Sequence, residues 1–312
     1  MTGAVAFLNA HAPWILALSV FVGVAMPDLA SIVRPALPFS VWGLLFLAML
    51  RIDWESTLGF IQRPRLVIGA GAVMLLFSPI VFWLMVRSAG LPAGITTGLV
   101  LMASAPPIMS SPALALLLGL RAPLVLVLLM VATLIVPFTL PVMALELLGV
   151  QLSIDTLTLG YRLALMNGSA LVCAVAARKI IGMRWIRGHD HFLGAGTVVL
   201  IVVFAVGMMD GIADIILSKP GHVAMVMVLA FAANLLLQII GTLPFVMTGL
   251  QTAFSIGFSN GNRNMGILLA VLPTNTDPEI LLYFAIGQFP IYMLPALQRP
   301  FFRKIMGRRE QP

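Results

Sequence analysis

Apolar residues run through this chain in long blocks. Ten such blocks lie between charged or Pro/Gly-rich breaks, roughly over 13–27, 36–51, 66–87, 94–119, 122–147, 154–179, 193–216, 221–246, 249–274 and 279–302. A helix needs about 20 largely apolar residues to cross a bilayer, and most of the blocks approach or exceed that length. The connections are short and leave no room for a soluble domain. The pattern predicts an all-α polytopic membrane protein with ten transmembrane helices. A membrane β-barrel would show weak alternation over segments of about ten residues instead. The first block lacks a charged n-region and a small-residue cleavage site, so it reads as a mature helix and not as a signal peptide.

Ten spans divide into five plus five. Halves with an odd number of spans insert in opposite orientations, which is the layout of an inverted repeat. Two blocks are interrupted by polar, Pro- or Gly-rich stretches, and each is the fourth span of its half. Helix 4 carries Ser104 to Pro112, broken by Pro106, Pro107 and Pro112; helix 9 carries Ser259 to Gly266, broken by Gly261 and Gly266. Unpaired backbone groups are not tolerated against lipid. The two broken helices are therefore expected to cross, with their breaks facing each other or a water-filled cavity near the bilayer midplane, where a substrate would bind.

Charge sharpens this picture. Only 29 of the 312 residues are charged, 18 Lys or Arg and 11 Asp or Glu, a net charge of +7. So few charges cannot cover a soluble protein of this size, which excludes a cytosolic enzyme and a disordered chain. With the N-terminus inside, thirteen of the 18 basic residues fall in inside loops and the C-terminal tail. Three, Arg34, Arg87 and Lys219, fall outside, and Arg162 and Arg263 lie within helices. That asymmetry predicts a multi-pass cytoplasmic membrane protein with both termini cytoplasmic. The positive balance is thus a topological signal, and no nucleic-acid partner is expected. The single Cys173 precludes a disulfide. No cofactor, metal site or enzymatic motif is expected.

Arg263 is the most informative residue. A charge at a helix centre is expensive, and neither break contains an Asp or Glu. Two readings stand. Arg263 binds an anionic substrate such as a carboxylate through its planar fork, or it caps the carbonyls of a half-helix. Asn260, Asn262 and Asn264 flank it, with Asn264 the preferred substrate contact. Ser259 completes this side, and Ser110 and Ser111 offer hydroxyls from the opposing break. Gln288 and Tyr292, one turn apart, are placed to line the same cavity.

The order of these features resembles the bile acid/sodium symporter family over nearly the whole chain, as a divergent bacterial-type member. The resemblance rests on Leu44 to Arg51 with Arg63-Pro64-Arg65, on Pro79, on Ala105-Pro106 through Ser111, on Pro137 to Pro141, and on Gly261, Asn264 and Gly266. It implies a panel domain of helices 13–51 and 154–216, a core domain of helices 66–147 and 221–302, and transport of small organic anions by alternating access, usually driven by sodium. The sodium ligands are where this chain departs. Of the first site only Ser111 survives; Pro112, Val125, Leu129 and Ser259 replace the rest. In the second, Arg263 stands where the family has Gln. The resemblance thus implies an anion transporter with degraded sodium sites, Arg263 acting as a fixed internal cation. Sodium or proton coupling is left open. A conventional sodium symporter with displaced ligands, and a membrane sensor or scaffold of the same fold, are the alternatives. Arsenite exporters with a crossover Cys are disfavoured, because Pro107 follows Ala105-Pro106.

Overall fold

A computed structural model describes residue 3 and residues 12–51, 63–149, 154–273 and 275–306. Among them every regular element is helical. In chain order these are α1 (Ala12–Ala25), α2 (Pro27–Leu50), α3 (Pro64–Val86), α4 (Ala93–Ser104), α5 (Ser111–Leu117), α6 (Ala122–Leu148), α7 (Thr156–Ile181), α8 (Met183–Gly188), α9 (Asp190–Gly207), α10 (Ile212–Ser218), α11 (Pro220–Thr248), α12 (Leu250–Gly261), α13 (Met265–Val271), α14 (Pro278–Ile286) and α15 (Gln288–Met306). Seven helices among the described residues are long and apolar enough to cross a membrane: α2, α3, α6, α7, α9, α11 and the run Pro278–Ile305 through α14 and α15. This is the build of a multi-pass helical membrane protein. Phe39, Phe138 and Leu157 point outward and exposed. Such a surface suits lipid and would aggregate in water.

Three of the ten expected spans are not continuous long helices. The first is α1, only 14 residues long. The other two are the interrupted blocks, which fold as α4 with α5 and as α12 with α13. Elsewhere the boundaries move. Residues 27–36, expected as a loop holding Arg34, are helical, so α2 runs unbroken from Pro27. Proline is tolerated in a first helical turn, and a 3₁₀ turn at Arg34–Ala36 accommodates Pro35 and leads into the Leu37 segment. The block 193–216 is interrupted at Met208–Gly211, where Gly211 takes φ +74° and starts α10. The C-terminal arginines Arg308 and Arg309, and the two termini, lie outside the described residues.

The chain forms two compact units. One comprises residues 1–52, 162–223 and 269–271. In it α9 packs against α1 and α2, and the Trp42 indole donates to Ser169 Oγ at 2.9 Å. Arg34 pairs with Asp210 at 2.6 Å, and Arg51 grips both oxygens of Asp190 at 2.7 and 2.9 Å. Arg162 donates to the Val271 carbonyl at 2.9 Å, capping the last turn of α13.

The other unit comprises residues 53–161, 224–268 and 272–312. Here α6 packs against α3, α4, α5 and α12. One core joins Met74, Leu128, Phe245 and Ile256; a second joins Ala115, Val125, Phe258 and Phe302. Both include α12, so the second broken helix is packed in the middle of the unit.

Asp155 N-caps α7: its carboxylate accepts the Thr158 N–H at 2.9 Å. The Thr158 hydroxyl and amide hold its carboxyl below the ordinary carboxylate value. A depressed folded-state pKa means the cap contributes fully above the unfolded value and is lost as pH falls through the folded one. Asp155→Ala is expected to speed amide hydrogen exchange at Leu157 and Thr158 at neutral pH, with the difference from wild type shrinking in acid.

Candidate functional site

The site is assembled from backbone groups that three interruptions leave without partners. In α3 the residues Val73–Phe77 form a π turn, and Pro79 follows. A π turn bonds five residues apart, and proline has no N–H. The acceptor five residues before Pro79 is Met74, whose carbonyl is left open. In α4 the helix ends at Ser104; Ala105 is extended at φ −70°, ψ 158°, and two prolines follow. In α12 the helix ends at Gly261, and Asn262 and Asn264 take non-helical angles near φ −90°, ψ 80°.

The two extended breaks pair with each other. Ile108 N–H donates to the Asn262 carbonyl at 2.8 Å, and Asn264 N–H donates to the Pro106 carbonyl at 2.7 Å. Pro107 and Arg263 sit opposite one another as a single antiparallel bridge. Because the bonds are made by the flanking residues, Pro107 occupies the position of an antiparallel pair that needs no donor. The breaks thus satisfy one another, as the cost of bare backbone in a membrane requires.

Arg263 then fills what remains. Its side chain is fully buried. Nη1 donates to the Ala105 carbonyl at 2.7 Å and Nη2 to the Met74 carbonyl at 2.9 Å. Nε donates to the Asn260 carbonyl, and Nη2 also to Asn260 Oδ1. One guanidinium therefore binds oxygens from α3, the α4 break and α12. None of these acceptors is a carboxylate. Of the two readings of this arginine, the geometry is that of a cap. Guanidinium has five N–H donors, and four are spent on the fold.

The neighbouring candidates divide. Asn260 is fully buried; its Nδ2 donates to the Leu237 carbonyl at 2.6 Å, and its Oδ1 also accepts from Ser78 Oγ at 3.1 Å. It ties α12 to α11 and α3. Asn262 donates to the Phe258 carbonyl at 2.9 Å. Asn264 caps α13, its Oδ1 accepting from Ile267 N–H at 3.4 Å. Ser259 bonds back to the Ser255 carbonyl at 3.0 Å and does not join the crossing. The Ser110 and Ser111 hydroxyls are buried with no hydrogen-bond partner among the described residues, at the N-cap and first residue of α5, where Pro112 needs no donor. Gln288 donates to its own helix, at the Phe284 carbonyl, 3.2 Å away. Tyr292 is exposed. Among the described residues no hydrogen bond ties either one to the breaks. Gly261 and Gly266 are buried at the two sides of the α12 break.

Sequence reasoning missed an amide chain leading away from the crossing. Gln298 Nε2 donates to Gln238 Oε1 at 2.9 Å, and Gln238 Nε2 to Asn234 Oδ1 at 2.8 Å. A longer contact of 3.5 Å runs from Asn234 Nδ2 to Asn262 Oδ1. The signal available was Asn234 and Gln238, four apart and so on one helix face. Ser78 and the Met74 carbonyl were missed too. Only the Pro79 that frees such a carbonyl is visible in sequence.

No family model matches the chain, and no curated protein matches it.

Proposed function

We propose that this protein is a secondary transporter that carries a small organic anion across the cytoplasmic membrane by alternating access. In this reading the chain crosses the bilayer ten times as two inverted halves of five, with both termini cytoplasmic. The paired breaks lie at the centre of one unit, and the two compact units supply the parts that move. The observation that carries the proposal is the buried Arg263 guanidinium, solvated by neutral oxygens at the meeting of two broken helices. Neutral carbonyls lower the energy of a cation without cancelling its charge. A net positive potential remains in a low-dielectric interior and favours an anion nearby. The Ser110 and Ser111 hydroxyls, buried and unpartnered among the described residues, and the last N–H of Arg263 are the donors left for one.

The same geometry bears on coupling. The oxygens that converge on the crossing already hold a cation, and that cation is covalently attached. This supports transport without sodium, in line with the replaced ligands of the resemblance to the bile acid/sodium symporter family. Counterflow of radiolabelled carboxylates into proteoliposomes is the test. Exchange of at least one carboxylate, unchanged by imposing or removing a sodium gradient, is the expected result. Exchange that requires sodium, or sodium stabilising the purified protein more than potassium at equal ionic strength, would count against it. A properly inserted protein that exchanges no carboxylate would favour a non-transporting sensor or scaffold.

A further inference from the structure

The turn between α7 and α9 carries a surface that neither the fold nor the crossing explains. Both helices are long and apolar enough to cross a membrane, so the turn lies at a bilayer surface. The last turn of α7 holds Arg178 and Lys179. Gly182, at φ +84°, ends that helix, and α8 follows with Arg184, Trp185 and Arg187 exposed. Ile186 is buried and seats this six-residue helix.

Side-chain contacts tie the turn together. The Trp185 and His189 rings stack at 4.0 Å, 17° from parallel, and His189 Nδ1 lies 2.9 Å from the Trp185 carbonyl. A carbonyl only accepts, so Nδ1 carries a proton and the ring orientation is fixed. Across the turn, Asp190 is the one carboxylate between residues 178 and 192, and Arg51 chelates it. Its charge is neutralised, and Lys179 and Arg184 stand exposed beside it.

Exposed apolar groups share this surface. Ile180, Ile181, Trp185 and Phe192 are all exposed. Cations beside exposed rings and aliphatic chains suit the level of the bilayer where acyl chains meet headgroups: the rings reach below the phosphates and the cations meet them. We infer that the α7–α9 turn is a binding site for anionic phospholipid headgroups, which fixes this end of its unit to the acidic membrane surface.

The purified full-length protein in neutral detergent tests this. Added phosphatidylglycerol should raise the thermal midpoint by several degrees, and phosphatidylcholine should not. The combined substitution Lys179→Gln, Arg184→Gln should lose at least half of the rise, and Trp185→Ala a smaller part. Sodium chloride at about 0.5 M should weaken the effect, since the exposed charges are then screened. Equal stabilisation by phosphatidylcholine overturns the inference, as does an equal effect of inorganic phosphate or a full rise in the double variant. Native mass spectrometry of wild type taken from mixed vesicles decides independently of any variant. Retained lipids enriched in phosphatidylglycerol support the site, and retained lipids in the bulk proportion refute it.

Discussion

Arg263→Ala lowers the thermal midpoint of the purified protein by about 10 °C, the largest loss expected of any single side chain here. Three backbone carbonyls, of Met74, Ala105 and Asn260, lose their donor together, and the Asn260 side-chain oxygen keeps only its bond from Ser78. Each buried acceptor left bare costs about 1–3 kcal/mol. Removing a buried charge also removes its desolvation burden, which offsets part of the loss. A net cost of about 3–5 kcal/mol remains, and for a chain of this size each kcal/mol moves the midpoint by about 2–4 °C. Arg263→Met fills the volume without donating, so it should fall nearly as far. The cost is then one of hydrogen bonds and not of a cavity. The alanine variant leaves an oxygen-lined space of the shape of the missing group. Millimolar guanidinium should restore part of its midpoint, whereas choline at equal ionic strength should not. Guanidinium should do nothing for the methionine variant. An alanine variant as stable as wild type would show that the cap is dispensable.

Gly261→Ala should be strongly damaging too. A Cβ there would meet the Gln238 side chain and stand 2.7 Å from the Asn234 backbone oxygen. Side chains can shift; the backbone of α11 cannot without disturbing the packing of its whole length. Overpacking of this kind costs about 1–3 kcal/mol, and here it also pushes the α12 break away from its pairing with Pro106 and Ile108. Gly168→Ala is the control, because a Cβ at that α7 position meets nothing within 4 Å. It should be neutral or gain up to about 1 kcal/mol from helix propensity. Thermal unfolding of both variants in the same detergent makes the comparison. Equal midpoints for the two would mean that α11 and α12 yield more easily than their contact implies.

Hydropathy showed where the long helices are, because a spanning helix must be apolar over its length whatever it packs against. It also marked both breaks, since Pro106-Pro107 and the Asn-Gly-Asn run around Arg263 have no place in an unbroken apolar helix. What it could not give was the pairing of acceptors. Whether Arg263 meets an anion or a carbonyl depends on which backbone oxygens are vacant nearby. Those of Met74 and Ala105 are 189 and 158 residues away in the chain. The stretch 27–36 misled for a simpler reason. Pro27, Pro35 and Arg34 all read as breakers, yet Pro27 opens the helix, Pro35 sits in a 3₁₀ turn that the span absorbs, and Arg34 finds Asp210. The block 193–216 misled in the opposite sense: Gly211 is apolar enough to disappear into a hydropathy average.

The bridge between Pro107 and Arg263 has one more consequence, for the register of the crossing. A pair of extended segments can slip by one residue, which turns the groups that faced away toward the partner. Here it cannot. A one-residue slip would turn Pro107 toward the partner, where a residue must donate, and it has no hydrogen to give. Pro107 therefore does more than interrupt a helix: by what it lacks, it bars that slip and keeps the two breaks in phase.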